Sequence, residues 1–144
     1  MLKIGFVGLG NMGKGMVTNL LKNNYNVMGY DINENLINNL LQDNFIKAKY
    51  IEELSRDKDI IVTMLPNGSI VEDVWNKIIK NCKKGCLIVD CSTIDVHTSK
   101  KIQKICLKNG VLSLDAPVSG GVIGSDNGTL TFMVGGEKKC YERM

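Results

Sequence analysis

The feature that most constrains the fold is a glycine-rich sextet, GLGNMG (8–13), between a strand-like run and a helix-like run. The preceding run, LKIGFVG (2–8), is almost continuously apolar, as in a strand that is buried on both faces. After the sextet, Met12, Met16 and Leu20 recur at the period of a helix face, and this helix is predicted to end at Asn24, since asparagine tolerates the left-handed conformation. A glycine turn between a buried strand and a helix is typical of the first unit of a doubly wound fold.

The rest of the chain repeats this alternation. Further strand-like runs are YNVMGYD (25–31), DIIVTML (59–65), CLIVDCS (86–92), VLSLDAP (111–117) and TLTFMVGG (129–136). Helices are predicted from Asn33 to about Gln42, from a Ser69-x-x-Glu72 capping box to about Lys80, and from Val96 to Asn109, before Gly110. The pattern predicts an α/β fold, Rossmann-like and doubly wound, with a mostly parallel sheet and helices on both faces.

The sextet also matches the G-x-G-x-x-G pattern of dinucleotide-binding turns, in the strand–turn–helix context that this function requires. Gly8 permits the tight turn, Gly10 lets the backbone approach a pyrophosphate, and Gly13 allows close packing of helix on strand. Unpaired N–H groups at the helix N-terminus favour phosphate binding. The predicted cofactor-binding residues are Gly8, Leu9, Gly10, Asn11, Met12 and Gly13. The alternative is a purely structural glycine turn.

Asp31 ends the second strand-like run, where an acidic side chain accepts hydrogen bonds from the adenosine ribose. A carboxylate at this position repels a 2′-phosphate, so Asp31 favours NAD(H). NADP(H) remains the alternative cofactor, since a lysine brought close by the fold would soften the preference; the next basic residue is Lys47. Asp31 could instead cap only the turn to Asn33.

Charge and composition argue against several other function classes. The net charge of +3 comes from scattered lysines without a block of like charge, so we expect no nucleic-acid partner. No apolar run approaches the roughly 20 residues that span a bilayer, and no secretory signal is recognised, so we expect no membrane contact. Cytoplasmic localisation is predicted, with the mitochondrion as an alternative. Five cysteines without a C-x-x-C pair and a single histidine predict reduced thiols and no metal site.

Beyond the sextet, the chain resembles the β-hydroxyacid dehydrogenase family, which includes 3-hydroxyisobutyrate dehydrogenase; 6-phosphogluconate dehydrogenase is a more distant relative. The resemblance lies in four blocks, in order: IGFVGLGNMGKGMVTNL (4–20), VTMLPNG (62–68), DCSTID (90–95) and DAPVSGGVIGSDNGTLTFMVGG (115–136). The last block is the most specific, because its glycine spacing is not general to Rossmann-type proteins. The resemblance implies an NAD(P)-dependent oxidoreductase of short 3-hydroxy acids or semialdehydes.

The resemblance also assigns roles to single positions. Leu65 and Pro66 would edge the cofactor, and Thr93 would lie beside the nicotinamide. The substrate carboxylate would be bound by Ser119, Gly120 and Gly121, since oriented hydroxyl and N–H donors match a carboxylate. The alternative is a glycine-rich connection between two strands.

The family's catalytic lysine has no match in this sequence. It lies on a helix beyond the DAPVSGG block, so we expect it beyond Met144 and expect this chain alone to be inactive. Residues 1–136 are predicted to form the dinucleotide-binding domain, and residues 137–144 to begin a helix leading to an absent C-terminal helical domain. A homo-oligomer is expected for a full-length form. The alternative function is a non-catalytic NAD(P)-binding module, such as a sensor, a scaffold or a chromatin-associated pseudoenzyme.

Overall fold

The computed structural model describes residues 2–40 and 42–144. The strands in this part of the chain are β1 (Ile4–Val7), β2 (Val27–Tyr30), β3 (Phe45–Lys47), β4 (Ile60–Thr63), β5 (Leu87–Asp90), β6 (Leu112–Asp115), β7 (Val118–Ser119), β8 (Thr131–Phe132) and β9 (Gly135–Gly136). The helices are α1 (Asn11–Lys22), α2 (Glu34–Asn38), α3 (Ile51–Ser55), α4 (Gly68–Asn81), α5 (Val96–Lys108), α6 (Gly121–Asn127) and α7 (Lys138–Tyr141).

The main sheet has the strand order β3-β2-β1-β4-β5-β6-β9. Its first six strands run parallel, and β9 pairs antiparallel with β6 at one edge. The chain moves outward from β1 to β3 and then returns to place β4 on the other side of β1. This reversal creates a crevice at the carboxyl ends of β1 and β4, where open α/β sheets bind ligands. The Rossmann-like, doubly wound fold class is confirmed.

Helices cover both faces of the sheet, because both faces of its central strands are apolar. On one face, Ile61 and Ile88 pack against Trp75, Ile78 and the other buried side chains of α3, α4 and α5. On the opposite face, Phe6 packs with α1 and α2. The buried stripe of α1 consists of Gly13, Gly15, Val17 and Leu21. Met16 and Leu20, predicted for its core face, are only half-buried beside it.

Several helix ends lie where the sequence predicts them. Asn24, after α1, has a φ of +63°, and Gly110, after α5, has a φ of +69°. The Asn33 side chain caps α2 by accepting a hydrogen bond from Asn35 N–H at 3.1 Å. The predicted capping box at Ser69 and Glu72 is wrong: α4 already begins at Gly68, so the cap is Asn67, whose Oδ1 accepts from the amide of the third helical residue at 3.0 Å.

The prediction differs most from the structure between residues 118 and 136. The predicted strand TLTFMVGG is divided: β8 pairs with β7 in a separate two-stranded sheet, and β9 pairs with β6. A helix, α6, lies in the glycine-rich stretch where the sequence predicts none. Helix α2 ends at Asn38, before the predicted end near Gln42; Leu41 in that interval lies outside the described residues.

None of the helices in the described ranges combines the length and the apolar character that crossing a membrane requires.

Candidate functional site

The glycine sextet forms a tight turn between β1 and α1. Gly8 has a φ of +97°, and a Cβ atom there would lie 2.1 Å from the Met64 carbonyl oxygen. A Cβ on Gly13 would lie 1.9 Å from the Gly8 carbonyl oxygen. Both positions therefore require glycine, Gly8 for the turn and Gly13 for the approach of helix to strand.

Gly10 differs from these two glycines. A Cβ atom on Gly10 would meet nothing within 4 Å, so the missing side chain leaves open space at the start of α1. Gly10 occupies the N-cap position, and no side chain caps the helix. The first N–H groups of a helix have no partner within it. This end of α1 therefore offers donors and a positive dipole end to an anion.

Asp31 lies directly against this turn. Its Oδ2 accepts a hydrogen bond from Leu9 N–H at 2.7 Å, and its Oδ1 accepts one from Asn33 N–H at 2.8 Å. The structure thus contains the turn to Asn33 and also joins Asp31 to the sextet. Each carboxylate oxygen can accept more than one hydrogen bond, so both retain acceptor capacity.

Lys47, the first basic residue after Asp31, lies at the end of β3. Its ammonium group pairs with Glu34 Oε1 at 3.1 Å. Glu34 begins α2, so the pair joins the two elements that follow Asp31. The charge of Lys47 is therefore engaged by a carboxylate next to the site.

Leu65, Pro66 and Thr93 follow the carboxyl ends of the neighbouring strands β4 and β5. Leu65 is half-buried, and its Cδ2 lies 3.2 Å from the point that a Cβ on Gly8 would occupy. Pro66 and Thr93 are exposed. The fold therefore brings Leu65 together with the glycine turn and leaves Pro66 and Thr93 accessible at the same edge of the sheet.

A buried polar network beneath these loops is missed by the sequence analysis. Asp90 Oδ1 accepts hydrogen bonds from Thr63 Oγ1 at 2.8 Å, Ser92 Oγ at 2.6 Å and Ser92 N–H at 3.2 Å. Ser92 Oγ in turn accepts from Leu65 N–H at 2.8 Å, and Thr63 Oγ1 accepts from Trp75 Nε1 at 3.0 Å. The available signal was the presence of Thr63 and Asp90 at the ends of otherwise apolar strands.

Asp90 is only 1% exposed, and its Oδ2 has no hydrogen-bond partner among the described residues. Burial raises the pKa of this carboxyl group above its usual value. The hydrogen bonds from Ser92 and Thr63 oppose that rise, and the nearby charge of Asp115 adds to it. The neutral form of Asp90 is therefore favoured more than in a solvent-exposed aspartate.

The SGG segment lies at the junction of β7 and α6. Ser119 pairs with Thr131 across the small sheet. Gly120 and Gly121 have φ values of +133° and +63°, a conformation that favours glycine. All three residues, Ser119 included, are exposed. The segment therefore presents a hydroxyl group and backbone free of side chains to solvent.

Helix α6 attaches this segment to helix α1. Ser125 Oγ donates to the Met12 carbonyl oxygen at 2.5 Å, and Asn19 Nδ2 donates to the Ser125 carbonyl oxygen at 2.7 Å. A Cβ on Gly15 would lie 2.5 Å from Ser125 Oγ. The two predicted binding segments are therefore held together by close packing of α6 on α1, a contact that the sequence analysis missed.

Lys138 and Lys139, which follow the DAPVSGG block in the sequence, are surface residues. Lys138 pairs with Glu142 at 3.6 Å, and Lys139 pairs with Glu137 at 2.7 Å.

All five cysteines are free thiols. Within residues 2–40 and 42–144, no group of three or more His, Cys, Asp or Glu side chains is placed to hold a metal ion.

Comparisons with known proteins identify the family to which the chain is similar. A family model described as the NAD binding domain of 6-phosphogluconate dehydrogenase matches residues 3–144. The chain is 42% identical over 136 residues to mitochondrial 3-hydroxyisobutyrate dehydrogenase of Mus musculus, covering 92% of this chain and 41% of the relative. It is 36% identical over 146 residues to NAD-dependent L-serine dehydrogenase of Pseudomonas aeruginosa, covering 99% and 49%.

A solved structure of Mycobacterium tuberculosis 3-hydroxyisobutyrate dehydrogenase with L-serine superposes with a TM-score of 0.95 at 34% identity. The match covers 99% of this chain and 49% of that one. The chain thus spans about half the length of the relatives that it matches. The resemblance predicted from the four sequence blocks is confirmed.

Proposed function

The chain belongs to the family of the NAD binding domain of 6-phosphogluconate dehydrogenase. We therefore propose that it functions as part of an oxidoreductase whose substrates are short 3-hydroxy acids or their semialdehydes. Its part is to bind the cofactor and the substrate carboxylate. The observation that carries the proposal is the turn in which Gly8 and Gly13 are sterically required while Gly10 leaves open space beside Asp31.

The cofactor pyrophosphate would lie at the N-terminus of α1. Open space at Gly10 supports this, because backbone N–H groups there can approach phosphate oxygens without a side chain between them. Leu65 and Pro66 would edge the cofactor, and Thr93 would lie next to its nicotinamide. The proposed pyrophosphate contacts are Gly8, Leu9, Gly10, Asn11, Met12 and Gly13.

We expect NAD(H) to be preferred over NADP(H). Asp31 is held at the turn by two backbone N–H groups, so its carboxylate would face the ribose and repel a 2′-phosphate. The pairing of Lys47 with Glu34 supports the same preference, since that lysine is less free to neutralise a phosphate. NADP(H) remains the alternative cofactor.

The substrate carboxylate would bind at Ser119, Gly120 and Gly121. The exposed hydroxyl and the backbone of the two glycines support this role, because a carboxylate is matched by several oriented donors. The substrate class is supported by the relatives, since 3-hydroxyisobutyrate and L-serine are both carboxylates with a hydroxyl on the third carbon.

Bound nicotinamide supplies the hydride donor or acceptor, and the reacting oxygen needs a positioned proton donor or acceptor. Lys138 and Lys139 are exposed and paired with glutamates, so neither is a candidate for that group. We therefore propose that the proton-transferring lysine is contributed by residues outside this sequence and that the chain alone binds without turnover. A homo-oligomer of the full-length form, and cytoplasmic or mitochondrial localisation, remain predictions.

Titration of NADH fluorescence against the chain tests the proposal. Gly10→Ala places a methyl group where a pyrophosphate would approach, and since nothing lies within 4 Å the fold should be retained. We expect roughly tenfold or greater loss of NADH affinity. Gly135→Ala is the matched control, because its Cβ would meet only the Asp115 carbonyl oxygen at 3.8 Å. Unchanged affinity in Gly10→Ala would refute the pyrophosphate assignment.

Adding 3-hydroxyisobutyrate with NAD⁺ to the same chain separates the two candidate functions. Turnover would contradict an externally supplied lysine. Tighter NAD⁺ binding in the presence of the hydroxy acid, without turnover, would support a substrate site. If the affinity for NAD⁺ is the same with and without the hydroxy acid, the alternative of a non-catalytic NAD(P)-binding module would be favoured.

A further inference from the structure

We propose that Asp90 is a positioning residue for the cofactor-binding edge, which orients the loops after β4 and β5 through Thr63 and Ser92. The inference rests on the proposed function, because it concerns the residues to which cofactor contacts are assigned. Within the part of the chain that the structure describes, the side-chain hydrogen bonds of Asp90 go to Thr63 and Ser92, and none goes to a predicted cofactor-binding residue. Its effect would pass through the hydrogen bonds that it accepts.

The direction of each hydrogen bond follows from the proton count. A hydroxyl group has one proton to donate. Since Ser92 Oγ donates its proton to Asp90, its oxygen is left to accept from Leu65 N–H. Thr63 Oγ1 likewise donates to Asp90 and accepts from Trp75 Nε1. One carboxyl oxygen therefore sets the orientation of both hydroxyl groups.

The network joins two segments that are distant in sequence. Thr63 and Leu65 belong to the end of β4 and its loop, while Asp90 and Ser92 belong to the end of β5 and its loop. Leu65 lies against Gly8, so a displacement of its backbone would reach the glycine turn. Thr93 directly follows Ser92 and would move with it.

The location of Asp90 argues that this network does more than stabilise the core. Burying a carboxyl group costs free energy, and well-packed apolar side chains often replace buried polar groups without loss of stability. Asp90 nevertheless lies in the interior, at the carboxyl end of a parallel strand and beside the switch point where such sheets bind ligands. A need for fixed loop geometry at that crevice accounts for the placement.

Ser92→Ala is the direct test, because it removes the only link from Asp90 to the Leu65 amide seen in the described residues. We expect NADH affinity to fall roughly tenfold. The matched control is Ser55→Ala in α3, which also removes a buried serine hydroxyl, bonded to the Ile51 carbonyl oxygen at 2.6 Å. The control should lower the unfolding midpoint in urea but leave NADH affinity unchanged.

Two substitutions at Asp90 separate positioning from general stability. Asp90→Asn keeps an acceptor at Oδ1, so we expect NADH affinity close to that of the wild type. Asp90→Leu keeps the branched shape without an acceptor and should reproduce the roughly tenfold loss of Ser92→Ala. If Asp90→Leu does not fold, Ser92→Ala and Asp90→Asn still decide the question. Trp75, the single tryptophan, reports folding through its fluorescence.

The outcomes for the two proposals are distinct. If the wild type binds NADH and Ser92→Ala binds it equally well, the role of Asp90 is overturned while the proposed function stands. If Ser92→Ala and Ser55→Ala lose affinity alike, the effect is one of stability and the positioning role is also overturned. Failure of the wild-type chain to bind NADH would overturn the proposed function, and the role of Asp90 with it.

Discussion

The carboxyl group of Asp90 shows how a single buried residue couples folding to pH. Burial raises its pKa, so the folded state retains a proton that the unfolded chain releases at its ordinary pKa near 3.8. The stability contributed by the neutral carboxyl is fully present below that value and is lost as pH rises through the folded-state pKa. We expect Asp90→Asn to remove this loss, so the unfolding free energy of the variant should gain on the wild type as pH rises.

Urea unfolding followed by Trp75 fluorescence over a pH series measures the difference. Asp95→Asn serves as a control of opposite sign. Hydrogen bonding from the Thr98 backbone lowers the pKa of Asp95, so its contribution is present above the ordinary pKa and is lost as pH falls. A difference in unfolding free energy between wild type and Asp90→Asn that does not vary with pH would contradict a raised pKa of Asp90 in the folded state. Burial also raises the pKa of Asp115, but the wild type and the Asp90→Asn variant both contain this residue, so it is common to the two proteins being compared.

At the scale of elements, the packing of α6 on α1 controls how the two predicted binding segments are held together. Gly15 provides the close approach, because a Cβ there would lie 2.5 Å from Ser125 Oγ and 2.8 Å from the Ser125 carbonyl carbon. Gly15→Ala should therefore push α6 away from α1 and lower the free energy of unfolding by about 1–3 kcal/mol. Compared with the wild type, amide hydrogen exchange in the variant should become faster in α6. Exchange in α5, which does not depend on this contact, should stay unchanged.

Asn19→Ala tests the same contact by removing side-chain atoms beside Ser125 instead of adding them. It removes the donor to the carbonyl oxygens of Gly15, Ser125 and Asp126. Exchange in α6 should again accelerate. If α6 keeps its protection in both variants, its stability comes from local structure and the proposed dependence on α1 is wrong.

At the scale of the whole molecule, an apolar groove opens between α1 and the β7–β8 sheet. It encloses about 430 Å³, and its apolar lining includes the half-buried Met16 and Leu20 of α1 and the exposed side chains of Leu2, Tyr25 and Phe132. Exposed apolar surface of this kind promotes association. We expect this chain in isolation to self-associate through the groove and Phe132→Glu to shift it toward the monomer.

Sedimentation velocity over a range of concentrations measures this association. Leu107→Glu in α5 is the control, since it introduces the same charge at an exposed apolar residue away from the groove. An equal effect of both substitutions would mean that net charge, and not this surface, governs association. A wild-type chain that is monomeric at all concentrations would contradict the prediction directly.

The sequence by itself determined the mostly parallel character of the main sheet and the glycine turn, because both follow from local patterns along the chain. Apolar runs predict buried strands, and Gly8, Gly13 and Gly110 lie where the backbone requires glycine or favours it. Asn24 and Asn33 mark helix ends through their own backbone and side-chain chemistry. The four sequence blocks also identified the family, because each block is a local motif and their order can be read directly along the chain.

Only the tertiary structure decided the Asp90 network and the helix at the SGG segment. Thr63, Asp90 and Ser92 belong to two different strand ends, so their hydrogen bonds exist only after β4 and β5 pair. Helix α6 is rich in residues of low helix propensity and forms hydrogen bonds to Met12 and from Asn19, more than 100 positions away. Such contacts join residues whose proximity no local pattern encodes, which is why they appear only in the folded chain.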